Sequence, residues 1–245
     1  MKATRFQSAI RLVYPPRCTF CGDLVDSDFG LCGPCWRDTP FIAGQVCDLC
    51  GVPLPAGPDA PDDVLTCDEC LSLPRPWDAG RAALIYKGNG RKMALMLKHG
   101  DRQDVAGPAA TWMARAAQPL LKPDTLIAPV PLHWLRLLKR RYNQAALLAR
   151  ALSGEVDRPI CPDLLIRPRA TPSLGGLGRD ARFAALNGTI AVHPRRRNRL
   201  AGRHVLLVDD VMTSGATLAA ASEACRAGGA IGVDILVLAR AAKDA

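Results

Sequence analysis

The fold of this chain is decided by the stretch Val205-Leu206-Leu207-Val208-Asp209-Asp210-Val211-Met212-Thr213-Ser214-Gly215-Ala216-Thr217. Its four leading apolar residues predict a β-strand that is buried on both faces of a sheet. Two acids come next, and a small, hydroxyl-bearing turn then leads into an alanine-rich segment. The stretch therefore predicts a strand, a polar turn and the start of a helix.

The polar turn carries groups that suit a phosphorylated sugar. Asp209 and Asp210 are expected in solvent at the carboxyl end of the strand, where carboxylates accept hydrogen bonds from hydroxyl groups or hold a cation. The glycine of the turn allows close backbone approach, its hydroxyl groups donate hydrogen bonds, and the free amides of the helix start attract an anion. A diol site and a phosphate site together describe a ribose 5-phosphate. The candidate binding residues of the turn are Thr213, Ser214, Gly215, Ala216 and Thr217.

An acidic pair after an apolar strand also occurs in the Walker B strand of P-loop nucleotidases. The chain contains no G-x-x-x-x-G-K-[ST] sequence, which argues against that class. A turn with a purely structural role stays open as an alternative. We favour the sugar-phosphate interpretation because the acids and the turn both contribute to it.

Eight of the ten cysteines form four C-x-x-C pairs. The pairs are Cys18/Cys21, Cys32/Cys35, Cys47/Cys50 and Cys67/Cys70. Two intervening residues let both thiolates of a pair reach one ion, and two pairs complete a tetrahedral zinc site. Disulfides are the alternative, but paired C-x-x-C sequences without an export signal favour zinc. We therefore predict two structural Zn²⁺ ions, each held by four thiolates.

The grouping of these pairs follows from loop length. We predict that the first two pairs hold one ion and the last two hold the other, because sequential grouping closes the shorter loops. A crossed arrangement stays open. Gly22 and Gly51 directly follow two of the pairs and are expected in tight turns around metal.

Length and composition predict two domains. With 245 residues, of which 49% are hydrophobic, the chain can bury one core of typical domain size and still form a small accessory module. The sequence Pro74-Arg75-Pro76 marks the boundary. We expect an N-terminal helix and a double zinc ribbon in residues 1–73 and a second domain in residues 74–245. An aromatic content of only 5%, with many Ala, Gly and Pro residues, fits a GC-rich bacterial source.

The sequence offers no candidate for a membrane span or a signal peptide. Residues 1–17 begin with basic residues and show helical spacing, but they lack the apolar core of a signal peptide. No stretch of 18 apolar residues occurs. We therefore expect a cytoplasmic protein.

The chain is basic, and its excess positive charge is clustered. The formal net charge of +9 falls to about +5 when eight thiolates and two Zn²⁺ are included. One cluster comprises Arg136, Lys139, Arg140 and Arg141, and the other comprises Arg195, Arg196, Arg197, Arg199 and Arg203. Either cluster could bind pyrophosphate or nucleic acid, although solvated basic faces are commoner.

Strand and helix patterns alternate from residue 80 onward, which predicts an α/β fold with a parallel, doubly wound sheet. Predicted strands cover residues 82–86 and 231–238, and predicted helices cover residues 91–98 and 145–152. The strand that begins at Leu126 ends in Pro129-Val130-Pro131. Because these prolines cannot continue a ladder, they predict a loop at the carboxyl end of the sheet.

Residues 208–217 resemble the motif that binds 5-phosphoribosyl 1-diphosphate (PRPP) in type I phosphoribosyltransferases, where two acids precede a threonine-glycine-threonine loop. Three further features resemble the ComF family of competence-associated, phosphoribosyltransferase-like proteins. They are the double zinc ribbon, the segment Leu97-Lys98-His99-Gly100-Asp101, and the Pro-x-Pro loop followed by Arg140-Arg141-Tyr142-Asn143-Gln144. The resemblance implies a type I phosphoribosyltransferase domain after the zinc ribbon.

The resemblance to the ComF family also implies an activity. The chain would bind PRPP with Mg²⁺ and transfer its phosphoribosyl group, displacing pyrophosphate. Asp209 and Asp210 would be the catalytic residues that hold the ribose hydroxyls, and residues 213–217 would hold the 5-phosphate. The pyrophosphate site would comprise Pro129, Val130, Pro131, Lys98 and Arg140. Single-stranded DNA and the DNA-uptake machinery of natural transformation are the implied partners.

Three positions depart from the family pattern. Arg141 stands where the family has glycine, Leu174 replaces a glutamine, and Ala185 replaces an asparagine. If the missing amides position the acceptor, catalysis is altered or lost. A non-catalytic alternative therefore stays open, in which the chain senses PRPP or a nucleotide and binds single-stranded DNA.

Overall fold

The computed structural model describes residues 14–55, 64–99, 102–169, 178–186 and 188–242. Most of the helix predicted within residues 1–17, and the positions Gly100, Asp101 and Leu174, lie outside the described residues. The helices are α1 (Gly33–Arg37), α2 (Asp68–Ser72), α3 (Gly88–His99), α4 (Ala106–Ala117), α5 (Trp134–Arg140), α6 (Gln144–Val156), α7 (Arg179–Leu186), α8 (Arg197–Leu200) and α9 (Ala216–Ala227). The strands are β1 (Ala79–Ile85), β2 (Leu126–Pro129), β3 (Leu165–Ile166), β4 (Ala191–Val192), β5 (His204–Met212) and β6 (Gly232–Arg240). Short 3-10 helices cover Gln103–Val105, Gln118–Leu120 and Pro194–Arg196.

Four parallel strands form the central sheet in the order β1-β6-β5-β2. The register places Val208 of β5 between Pro129 of β2 and Leu236 of β6. Strands β3 and β4 form a separate antiparallel pair. The predicted parallel α/β fold is confirmed. The two strands and two helices whose bounds were predicted after residue 80 are all present, with bounds shifted by a few residues.

The apolar run at residues 205–208 is buried as predicted, since none of these residues is more than 1% exposed. Strand β5 nevertheless continues to Met212, so the two acids lie within the strand and not after it. The continuation is paired, because Met212 lies opposite Arg240 of β6. The sequence alone did not show that β5 extends to Met212. Acids are rare in buried strands, so the two aspartates predicted that the strand ends before them.

Packing on both faces explains why β5 is apolar throughout its first half. Val205 and Leu207 belong to one core cluster, which also contains the buried residues of α9 and of the second cysteine group. Leu206 and Val208 belong to a second cluster with α4, α6 and Cys18 of the first cysteine group. The alanines of α9 that face the sheet are small, which lets the helix pack closely. The two cysteine groups therefore lie on opposite faces of the sheet.

Both edges of the sheet are covered by irregular segments. The Ile42 amide donates to the Ala83 carbonyl, and the Ile85 amide donates to the Pro40 carbonyl, which adds residues 40–42 beside β1. At the other edge, Ile127 of β2 exchanges hydrogen bonds with the segment 159–161. Covered edges leave few backbone groups free to pair with another chain.

The second cysteine group shares a core cluster with the sheet, so the boundary between residues 73 and 74 remains a prediction. Among the described residues, no helix has the length and apolar character needed to cross a membrane.

Candidate functional site

Asp209 and Asp210 point to opposite faces of the sheet, because side chains alternate along a strand. Asp210 is 8% exposed, and its Oδ2 atom lies 3.1 Å from the Lys98 Nζ atom of α3. Asp209 is half-buried and faces the turn that follows β5. The expectation that both carboxylates lie in solvent is therefore wrong for Asp210, which is buried and ion-paired with Lys98.

The electrostatic setting of Asp209 opposes its ionisation. Burial raises the pKa of this carboxyl to about 8, and the nearby charge of Asp210 acts in the same direction. The Asp210 amide donates a hydrogen bond of 2.8 Å to Asp209 Oδ1, which partly offsets that rise in pKa. A carboxyl group with a raised pKa next to a cleft is a feature of functional sites.

The predicted turn lines a small cleft at the carboxyl end of β5. The cleft has a volume of about 50 Å³ and is lined by Asp209 and residues 211–218. Thr213 is exposed, whereas Ser214 and Thr217 are half-buried. Gly215 has a φ of +81° and caps α9, so the turn needs a residue that tolerates the left-handed region. The structure thus brings Asp209, the hydroxyl groups and the helix start together.

The Pro-x-Pro sequence forms a loop at the carboxyl end of the sheet, as predicted. Strand β2 ends at Pro129, and the Val130 amide donates to the Val208 carbonyl at 2.9 Å, directly before Asp209. The Asn143 side chain donates to the Val130 carbonyl at 3.0 Å and also caps α6. The residues Pro129, Val130 and Pro131 are buried. Their loop is held in place from the N-terminus of α6.

Arg141 occupies a position where glycine is favoured. Its φ of +66° lies in the left-handed region, and it ends α5 with its amide donating to the Leu137 carbonyl at 2.7 Å. A non-glycine residue in this region is strained by about 1 kcal/mol. The loop therefore keeps the conformation that the family's glycine suggests, despite the arginine.

Arg140 reaches toward the same loop. Its Nη1 atom donates to Gln144 Oε1 at 3.3 Å, at the start of α6. Gln144 is only 2% exposed, and its Nε2 atom has no hydrogen-bond partner among the described residues. A buried, unsatisfied amide beside a loop is an unusual feature that suits a binding site.

Three arginines near the site were not singled out from the sequence. Arg167 follows β3 and is 6% exposed, and burial together with the charge of Arg136 lowers its pKa, while Asp209 raises it. Arg75 and Arg240 lie against the turn and contact its backbone. Arg240 is the last residue of the apolar strand β6, at the same end of the sheet as Asp209. Its position at the carboxyl end of a strand was the sequence signal that could have marked it as a site residue. Arg75 was interpreted only as part of a domain boundary.

The two basic clusters occupy different ends of the sheet. The cluster that includes Arg136 lies on and after α5, which follows the carboxyl end of β2. The cluster at residues 195–203 directly precedes β5 and so lies near the amino end of that strand. One of its members, Arg196, forms an ion pair with Asp163 at 2.8 Å. The first cluster therefore lies at the end of the sheet that carries Asp209, and the second lies at the other end.

The eight paired cysteines form two groups that fit zinc. Zn–S bonds of about 2.3 Å in a tetrahedron place two sulfurs about 3.8 Å apart. The sulfurs of Cys21 and Cys32 lie 3.5 Å apart, and those of Cys50 and Cys67 lie 3.7 Å apart. Within each group all four sulfurs lie within 4.8 Å of one another, and none of the cysteines forms a disulfide. The sequential grouping is confirmed, and Gly22 and Gly51 have positive φ as expected.

Comparison with known proteins finds two domain families in the chain. Residues 9–71 match the double zinc ribbon domain, and residues 144–245 match the phosphoribosyl transferase domain. The DNA utilization protein YhgH of Escherichia coli K12 is 28% identical over 94% of this chain and 99% of its own length. Competence protein F of Haemophilus influenzae is 28% identical over 92% of this chain and 97% of its own length. The resemblance to the ComF family is confirmed.

Among solved structures, the allosteric regulatory enzyme of purine biosynthesis is similar to this ComF-like chain. The match has a TM-score of 0.38 and 16% identity, and it covers 59% of this chain and 30% of that enzyme. The two domain matches, and not this structural similarity, show a double zinc ribbon and a phosphoribosyl transferase domain in the ComF-like chain.

Proposed function

We propose that this ComF-like chain binds PRPP together with Mg²⁺ and transfers its phosphoribosyl group to an acceptor. The observation that carries the proposal is the cleft in which Asp209, the hydroxyl-bearing turn and the N-terminus of α9 meet. The cleft combines a carboxylate for hydroxyl groups with amides that attract a phosphate.

Two further observations support the proposal. The match to the phosphoribosyl transferase domain includes β5 and the turn, so the cleft lies inside the matched region. The loop at Pro129–Pro131 lies on the neighbouring strand, where a second phosphate group of the same ligand would reach it. Ligands of parallel α/β sheets bind at this carboxyl edge.

The proposed reaction breaks the bond between the anomeric carbon and the diphosphate and forms a bond from that carbon to the acceptor. Asp209 would accept hydrogen bonds from the ribose hydroxyls, and residues 213–217 would hold the 5-phosphate. The guanidinium groups of Arg140 and Arg167 would offset the charge that leaves with pyrophosphate. Lys98 is paired with Asp210. It would therefore either hold the Asp210 carboxylate in position or leave that carboxylate and pair with a phosphate group of the ligand. Mg²⁺ bound with PRPP would supply further positive charge.

The test is calorimetric titration with PRPP and Mg²⁺. At a pH above about 8, where the Asp209 carboxyl is ionised, a hydrogen bond to this charged group contributes about 1.5–3 kcal/mol. We therefore expect Asp209→Asn to weaken PRPP binding about 10- to 150-fold at that pH. The double variant Asp209→Asn, Asp210→Asn should weaken it further. Asp124→Asn is the matched control, because Asp124 pairs with His204 at the amino end of β5. Unchanged affinity in the double variant would mean that the ribose does not bind at this strand.

Binding of single-stranded DNA is a second candidate function, and the surface of α5 favours it. Trp134 is 57% exposed and Leu138 is 69% exposed, on a helix that also carries Arg136 and Arg140. Unpaired bases stack on exposed aromatic rings, while arginines neutralise the phosphates. The name of the E. coli relative, a DNA utilization protein, agrees with this candidate.

Fluorescence anisotropy with a labelled single-stranded oligonucleotide tests this candidate. Stacking contributes about 1–3 kcal/mol per base, so Trp134→Ala should weaken binding about 5-fold or more. The logarithm of the affinity should fall with that of the salt concentration, with a slope near −0.7 for each phosphate contact. Trp36→Ala removes a similarly exposed tryptophan, 52% exposed, from the zinc ribbon and should have no effect. Equal losses in both variants, or no loss after both basic clusters are changed to glutamine, would exclude α5 as the binding surface.

A further inference from the structure

The second cysteine group is linked to the turn at residues 213–217, here named the sugar-phosphate turn, through one acidic residue and two arginines. Glu69 lies between Cys67 and Cys70, two of the four thiolates of that group. Its Oε1 atom lies 3.1 Å from Arg75 Nη2, and its Oε2 atom lies 2.8 Å from Arg240 Nη2. A single carboxylate therefore holds the two arginines that contact the turn.

Both arginines donate hydrogen bonds to backbone carbonyls of the turn. Arg75 Nη1 donates to the Ser214 carbonyl at 2.8 Å, and Arg240 Nη1 donates to the Thr213 carbonyl at 2.7 Å. The side chains of Arg75 and Arg240 are 0% and 2% exposed, so water does not compete strongly for these contacts. The arginines thereby fix two consecutive peptide planes of the turn.

The orientation of these planes decides where the amides point. In a planar trans peptide, the carbonyl and the following amide point in opposite directions. Because the Thr213 and Ser214 carbonyls point toward the arginines, the amides of Ser214 and Gly215 point away from them. Neither arginine lines the cleft, whereas residues 213–215 do. Consecutive amides aimed at one point are what an anion needs.

The thiolates take part in the same network. Arg75 Nε donates to Cys70 Sγ at 3.5 Å, and the Arg75 guanidinium lies 5.4 Å from the centre of the Trp77 ring. Trp77 Nε1 donates to the carbonyl of Leu49, which lies within the third cysteine pair, at 2.6 Å. A metal held by these cysteines would fix the positions of Cys70 and Glu69, and so those of the arginines.

We propose that the second cysteine group, acting through Glu69, Arg75 and Arg240, is the positioning element of the sugar-phosphate turn. Zinc in this group keeps the amides of the turn directed into the cleft, and its loss releases them. The first cysteine group does not share this role. It packs on the opposite face, where Lys92 donates to the Phe20 carbonyl at 2.8 Å. The identity of the anion rests on the proposed function, but the orientation of the turn does not.

Two matched variants of the zinc-loaded full chain test the proposal. Glu69→Gln removes the charge that joins both arginines, whereas Lys92→Gln breaks the corresponding link from the first cysteine group. Hydrogen exchange should accelerate in the segment 209–220 of Glu69→Gln, with no change in α4. PRPP binding with Mg²⁺ should weaken about 10-fold or more, as is typical when a group that supports a metal ligand is lost. Lys92→Gln should match the parent protein in both measurements.

Zinc content separates these effects from loss of metal. Both variants should retain two zinc ions by elemental analysis, and Cys67→Ser should lose one and show the accelerated exchange even if its overall stability falls. Equal exchange in segment 209–220 for Glu69→Gln and the parent would overturn the proposal, and so would an equal effect of Lys92→Gln. If the parent does not bind PRPP at all, the proposed function fails, while the exchange result still decides this inference.

Discussion

At the level of single residues, the carboxyl group of Asp209 makes stability depend on pH. Its pKa of about 8 lies above the value near 3.9 of an unfolded aspartate, so the folded protein binds this proton more tightly. The contribution to stability is complete below about pH 4 and is lost as the pH rises through about 8. We expect Asp209→Asn to remove this loss, so that the variant gains stability relative to the parent between about pH 5 and 8. Urea unfolding of the variant and the parent at several pH values measures this difference in the free energy of unfolding.

Asp124 provides a control because its pKa is shifted in the opposite direction from that of Asp209. Hydrogen bonds from His204 lower the pKa of this carboxyl, so its contribution is present above the unfolded pKa and is lost as the pH falls. Asp124→Asn should therefore change the acid side of the stability curve. The same response from both variants would show that Asp209 titrates normally.

Arg141 gives a second prediction at this scale. Glycine adopts a φ of +66° without the strain that arginine incurs, so Arg141→Gly should raise the free energy of unfolding by about 0.5–1 kcal/mol. Arg140→Gly, at the last residue of α5, should lower the free energy of unfolding, because glycine is less favourable than arginine in a helix. Denaturant unfolding of the two variants compares the positions directly. A loss of stability in Arg141→Gly would mean that contacts of the side chain outweigh the strain.

At the level of elements, the turn before α9 is confined on both sides. A Cβ atom on Gly215 would lie 2.8 Å from Met212 Cε and 3.1 Å from both Arg75 Nη1 and the Trp77 ring. With a φ of +81° as well, Gly215→Ala should lower the free energy of unfolding by more than about 1 kcal/mol. It should also displace Arg75 and weaken PRPP binding.

Gly154 is the matched control for this substitution. It lies inside α6, and a Cβ atom there would meet nothing within 4 Å. Gly154→Ala should therefore stabilise the protein by about 0.5–1 kcal/mol, since alanine is the better helix former. Thermal unfolding of both variants gives the comparison, and a neutral Gly215→Ala would show that the turn adjusts freely.

The elements that the sequence predicted well are those with a strong local pattern. The apolar run at residues 205–208, the helix after Thr217 and the C-x-x-C pairs each carry their own signal, and all are present. The length of β5 was not predictable, because Asp210 is stabilised by Lys98, which is distant in the chain. The contacts of Arg75 and Glu69 likewise depend on how the zinc ribbon packs, which no local pattern encodes.

At the level of the whole molecule, the two cysteine groups join the zinc ribbon to opposite faces of one sheet. Because of this packing, the ribbon is not an independent appendage, although it matches a separate domain family. The domain boundary at residues 73–74 and the cytoplasmic location remain predictions. Arg75, just after that boundary, donates a hydrogen bond to the turn of the candidate site, and Glu69, just before it, pairs with Arg75 and Arg240.

The last prediction concerns the order in which metal leaves the molecule. Elemental analysis of protein prepared without oxygen should return two zinc ions per chain, because each cysteine group offers four thiolates. Cys21 of the first group is exposed, whereas Cys47 and Cys50 of the second are 0% exposed. A chelator should therefore remove the first ion faster, and PRPP binding should persist until the second ion leaves. Monitoring released zinc with a coloured indicator while PRPP binding is followed resolves the two steps. Release of both ions in one step, or loss of PRPP binding with the first, would contradict separate roles for the two groups.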